Sequence, residues 1–98
     1  MQFIVIGRDG SDEGAMARRL AARDNHLALA QKMKETGELL YAAALMDDDE
    51  RMVGSALIME MEDRAALDAW LEVEPYITGD VWRAVEITPC KVPGFIKP

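Results

Sequence analysis

Residues 3–6, Phe3-Ile4-Val5-Ile6, form a strand-favouring run with no polar side. Successive side chains of a strand point to opposite faces, so Phe3 and Val5 project one way and Ile4 and Ile6 the other. A sheet with one wet face would alternate apolar with polar residues instead. The next two strand-like segments repeat the pattern. Residues 38–46 carry Leu39, Leu40, Tyr41 and Leu45 and are apolar on both sides. Residues 52–61 set Val53, Leu57, Met59 and Met61 against Met52, Ala56 and Ile58. A sheet built from these segments needs cover on both faces. Helices can cover one, and the other, left in water, would be an unusually large apolar patch. A second copy of the same sheet is the simplest cover, which predicts a two-fold homodimer.

The helices are legible between the strands. Wound at 100° per residue, residues 15–36 place Met16, Leu20, Leu27, Leu29, Ala30 and Met33 on one broad side. Gly7 is expected to close the first strand, and residues 8–14 to form a loop. Ser11-Asp12-Glu13 is expected to cap the helix and charge its first turn, and Gly37 to end it. Asp24-Asn25, weak helix formers, mark an expected bend. Asp63 is expected to cap a second helix, residues 64–72, with Ala66, Leu67, Trp70 and Leu71 inward. Residues 74–79 read as a loop or single turn, because Pro75 discourages helical geometry at Glu74. Residues 81–88 form the last strand, stopped by Pro89. The order β-α-β-β-α-β predicts an α+β fold: a ferredoxin-like sandwich with two helices on one face of an antiparallel sheet. The 98 residues read as a single domain, with a proline-bounded tail, 92–98, available to strap a partner subunit.

Charge narrows the partners. Eighteen acidic side chains against 11 basic ones give a net charge of −7. That opposes a nucleic-acid surface, which needs a basic stripe, and attraction to anionic membranes. The longest apolar run, residues 39–46, is too short to span a bilayer, and no leader pattern precedes the first strand. Cys90 is alone and forms no intrachain disulfide, so a cytoplasmic setting is expected. One histidine and one cysteine supply a transition-metal site poorly, so no metal is expected. Residues 47–50, Asp-Asp-Asp-Glu, lack the spacing of a calcium loop and read as a solvated hairpin turn. Residues 7–10, Gly-Arg-Asp-Gly, match neither a dinucleotide nor a P-loop pattern.

His26 is the one histidine and lies within the long helix. Only imidazole titrates near neutral pH without perturbation, which makes His26 the natural group for proton transfer. Side chains three and four apart on a helix are neighbours, so Arg19, Arg23 and His26 form a short basic ridge. A core imidazole satisfied by backbone or carboxylate fits the same spacing. Arg19 or Arg23 can neutralise negative charge on a substrate, and Tyr76 and Trp82 can line a pocket or simply pack.

Four ordered motifs carry a resemblance: Arg23-x-x-His26-Leu27, Gly37-x-Leu39-Leu40, Ala69-Trp70-x-x-x-Glu74-Pro75-Tyr76 and Ile87-Thr88-Pro89. Together they resemble the YCII-like (YciI-related) family, up to about residue 91. The resemblance implies a small dimer of the dimeric α+β barrel superfamily. It implies an active site pairing a histidine with an aspartate that precedes a proline, which lands on His26 and Glu74. This chain has glutamate there, one methylene longer. It has Ala43-Ala44 where a Gly-Pro step is usual and Asp24 where a proline is usual. One branch of the family removes chloride from a chlorinated hydroxyquinol, and muconolactone isomerases and small monooxygenases share the fold. The expectation is a cofactor-free enzyme using a His26/Glu74 acid–base pair on a small anionic, aromatic or lactone-like molecule, by elimination or isomerisation. The alternatives are a non-catalytic binding or accessory module on the same fold and a cofactor-independent oxygenase.

Overall fold

The two-sided strand pattern resolves into two differently treated faces. In this computed structural model, which describes residues 1–96, the elements are β1 (Gln2–Asp9), α1 (Ala15–Thr36), β2 (Leu39–Met46), β3 (Met52–Glu60), α2 (Arg64–Val73), α3 (Pro75–Thr78) and β4 (Trp82–Cys90). The strands form an antiparallel sheet in the order β2-β3-β1-β4, giving the α+β, ferredoxin-like fold. Phe3 and Val5 are sealed with Leu57 and Met59 of β3 against Ala22 and Met33 of α1 and Leu67 and Trp70 of α2. The opposite face carries Ile4, Ile6, Tyr41, Ala43, Ala56 and Ile58, in register across three strands and left half-buried or exposed. The chain after β4 begins across one end of that face. Val92 N–H donates to Gln2 Oε1 at 2.6 Å, and the Tyr41 hydroxyl donates to the Ile96 carbonyl. β2 and β4 are opposite edges of the sheet, so residues 91–96 bridge them. The last two residues of the expected strap, 97 and 98, lie outside the described residues.

Several boundaries depart from the sequence reading. β1 does not close at Gly7 but continues to Asp9. Gly7 is inside the strand because a Cβ there would collide with the Trp82 indole, which lies over it. β4 runs through Pro89 to Cys90. It is an edge strand, where proline's missing N–H can face away from the ladder. Ser11 does not cap α1; Gly14 is the N-cap, with no side-chain bond, and no acidic residue lies in the first turn. Asp12 instead grips Arg18 with both oxygens, at 2.8 and 2.6 Å. α1 passes through Asp24-Asn25 as one helix. Its buried stripe is Arg19, Ala22, His26 and Met33. Leu20 and Leu27, expected inside, are 56% and 44% exposed. The stripe has turned toward two polar side chains because each meets a buried acid, as described below.

Other signals are where the sequence placed them. Gly37 ends α1 at φ +85°, with its N–H returned to Lys34 and Met33 carbonyls. Asp63 caps α2 by accepting the Ala66 N–H at 2.9 Å. Glu74 is extended, as a residue before proline must be, and α3 is a single turn.

Candidate functional site

α1 sets Arg19, Arg23 and His26 at spacings of four and three, so all three look from one helix toward β2 and β3. The extended backbone at Glu74 separates α2 from α3 and turns its carboxylate inward. Glu74 Oε1 accepts the Tyr76 N–H at 3.2 Å, capping α3, and meets His26 Nδ1 in a hydrogen bond within the same chain. Both side chains are buried, Glu74 to 2% exposure. An ionised carboxylate only accepts, so in this bond Nδ1 carries the hydrogen, and a neutral imidazole held this way has its lone pair on Nε2.

Aromatic rings hold the imidazole in place. Tyr76 stacks on it, centroids 3.8 Å apart and planes within 10°. Trp82 stands edge-on to both, at 6.1 Å from His26 and 5.7 Å from Tyr76. Burial pushes the Tyr76 phenol above its ordinary value, and the positive charges of Arg19 and Arg23 only partly oppose that. Tyr76 is therefore a neutral hydroxyl at physiological pH.

The second arm of the site joins Arg19 and Trp82 to two residues that sequence reasoning misses, Asp9 and Ser55. Arg19, 3% exposed, donates through Nη1 to both carboxylate oxygens of Asp9 at 3.0 Å and through Nη2 to Ser55 Oγ at 3.2 Å. Its guanidinium carbon lies 4.7 Å from the Tyr76 ring centroid. Trp82 Nε1 donates to the same Ser55 Oγ at 3.3 Å. Asp9 lies not in a loop but at the end of β1, where it follows Phe3, Val5 and Gly7 on the inner face. A register shift between Arg8 and Asp9 sets Asp9 opposite Trp82. Ser55 had a signal in the sequence: it is the polar member of the inward series Ser55, Leu57, Met59.

These side chains wall a cleft of about 210 Å³, lined by Arg19, Arg23, His26, Ser55 and Tyr76 and by Ala42, Ala43 and Ala44 of β2. A dry cavity of roughly 150 Å³ already accepts benzene. Arg23 is exposed at this cleft and has no hydrogen-bond or ion-pair partner among the described residues. Arg19, by contrast, is charge-paired with Asp9. Trp82 and Glu74 stand behind the lining residues. Among the described residues no group of three or more His, Cys, Asp or Glu side chains is arranged to hold a metal ion. Asp47 folds the acidic hairpin turn on itself, accepting the N–H groups of Asp49 and Arg51 at 2.9 and 3.0 Å. Among the described residues no helix is long and apolar enough to cross a membrane.

Known proteins of similar sequence and shape agree with this architecture. Protein YciI of Escherichia coli O6:H1 is 30% identical over 97 residues, covering 93% of this chain and 97% of its own. The structure of 5-chloro-2-hydroxyhydroquinone dehydrochlorinase from Burkholderia phenoliruptrix AC1100, in complex with 2,5-dihydroxybenzoquinone, superposes with a TM-score of 0.81. It is 23% identical, and the alignment covers 97% of this chain and 98% of that one. A dimeric ferredoxin-like protein from Jannaschia sp. CCS1 superposes with a TM-score of 0.57 at 17% identity, over 93% of this chain and 98% of its own. At these identities the two structures speak for the fold alone. The model of the YCII-related domain matches residues 1–91. The four scattered motifs are thus parts of one continuous likeness, and the chain belongs to the YCII-related family.

Proposed function

We propose that this protein is a cofactor-free acid–base enzyme acting on a small anionic ring compound. The observation that carries the reading is the buried His26–Glu74 hydrogen bond behind an accessible cleft. Glu74 holds the Nδ1 hydrogen, so Nε2 is the base presented to a ligand. In the forward step Nε2 takes a proton from a carbon or hydroxyl of the substrate. The freed electron pair forms a new double bond, and either a leaving anion departs with its own pair or the double bond migrates and the imidazolium returns the proton to the far carbon. Arg23, without a hydrogen-bond or ion-pair partner among the described residues, offers positive charge to the substrate's oxyanion. Arg19, its charge met by Asp9, shapes the wall beside Tyr76. A dehydrochlorinase of like fold that holds a dihydroxybenzoquinone supports the substrate class.

The same reading takes the working unit to be a homodimer joined through the outer sheet face, with the tail strapped at its edge. It is set in the cytoplasm, where the lone Cys90 stays reduced. The direct test is turnover of halogenated hydroquinones and enol-lactones by the wild type and by His26→Asn. A loss of about a hundredfold or more, with ligand affinity and thermal melting retained, is the expected result. Unfolding of the variant, or undiminished turnover, would return His26 to a purely structural role.

A further inference from the structure

We infer that Ser55 donates a hydrogen bond from its hydroxyl to an oxygen of the bound ligand, an enolate, phenolate or quinone carbonyl. This rests on the reading above that the cleft holds a small anionic ring. A serine hydroxyl has one hydrogen and two lone pairs. Ser55 Oγ receives Arg19 Nη2 at 3.2 Å and Trp82 Nε1 at 3.3 Å. Guanidinium and indole N–H groups can only donate, so both lone pairs are engaged and the hydroxyl hydrogen must go elsewhere. Among the described residues none accepts it. Ser55 is itself buried, yet it forms part of the cleft wall together with His26, Arg23 and Tyr76. Its hydrogen is thereby aimed by elimination at whatever fills the cleft.

The arrangement selects the kind of acceptor. Two donors pulling on Oγ, one of them cationic, polarise the O–H and strengthen its own bond. Such a donor prefers an oxygen carrying negative charge over a neutral ether or a halogen. A ligand without that oxygen would leave a buried hydroxyl unpaired, which is a penalty against it as well as a lost contact. Ser55 thus reads one oxygen of the ring while His26 Nε2 faces the atom that loses a proton. Ser55 Oγ is fixed from two directions, by α1 through Arg19 and by β4 through Trp82, so the donor is positioned before the ligand arrives.

The probe is 2,5-dihydroxybenzoquinone, whose visible absorption reports hydrogen bonding to its oxygens. It is titrated into the wild type, Ser55→Ala and Ser55→Thr, with thermal melts confirming that each is folded. The expected result is binding about tenfold to a hundredfold weaker in Ser55→Ala. The bound absorption band should move toward that of the free dianion, while Ser55→Thr keeps both affinity and band. Equal affinity and an unchanged band in Ser55→Ala would overturn the assignment and leave the cleft reading intact. Equal weakening in both variants with no change of band would also overturn it, since Ser55 would then act only by supporting Arg19. Failure of the wild type itself to bind the probe would sink the anionic-ring reading, and this inference with it.

Discussion

At the scale of single residues, the site is held by two buried hydrogen-bonded pairs of opposite legibility, His26–Glu74 and Arg19–Asp9. His26 could be singled out because it is unique and sits on a helix, and its partner Glu74 followed from a family likeness. Asp9 could not, because its meaning depends on a strand continuing past Gly7. Gly7 usually signals a break, and here it makes room for the Trp82 ring. Removing one member of a buried ion pair leaves the other charge stranded, typically at about 3–5 kcal/mol. Asp9→Ala should therefore lower unfolding free energy in urea by an amount of that order. Asp9→Ala combined with Arg19→Met should recover much of the loss. Tyr76 makes a separate prediction. Its phenol is raised by burial, so the folded state holds that proton more tightly than the unfolded chain. The stabilisation is complete below the unfolded value of about 10 and fades as pH climbs through the raised folded value. Wild-type stability should fall between about pH 9 and about pH 11 more steeply than that of Tyr76→Phe.

At the scale of elements, local signals were reliable where chemistry is local. Gly37 terminates α1 and Asp63 starts α2 for reasons contained within a few residues. Nothing lies near the missing Cβ of Gly37, so the cost of Gly37→Ala is conformational alone. A left-handed alanine costs about 1–2 kcal/mol, and the melting temperature should drop accordingly. The inward face of α1 was harder to read. Its leucines suggested one stripe, whereas the packed stripe contains Arg19 and His26. Periodicity counts apolar residues and cannot foresee polar ones whose partners come from β1 and from the turn after α2. The acidic hairpin turn is the opposite case. The two N–H groups reaching Asp47 hold its carboxyl below the usual range, with help from Arg51. That contribution is present above about pH 4 and is lost as pH falls through the lowered value.

At the scale of the whole molecule, the apolar outer face was legible from four residues, Phe3 to Ile6, before any tertiary contact was known. Among the described residues only the segment after β4 lies across it, at one end. Sheet-to-sheet pairing in the proposed homodimer would bury Ile4, Ile6, Ala56 and Ile58. Sedimentation should give twice the 10.9 kDa of one chain. Ile58→Asp should shift it to the monomer while leaving the His26–Glu74 side of the sheet in place. A dimer unaffected by Ile58→Asp would move the interface elsewhere.

Glu74 closes the tight turn of α3 with the same oxygen that steadies the imidazole. Selection for a well-folded polypeptide is therefore enough to retain an acid at this position. A descendant that had abandoned all turnover would keep it, because replacing it loosens a joint in the scaffold. Persistence of an acid at this position among kin is accordingly a poor witness to enzymatic activity. Drift at position 26 beside an unchanged acid would mark the lineages whose chemistry has lapsed.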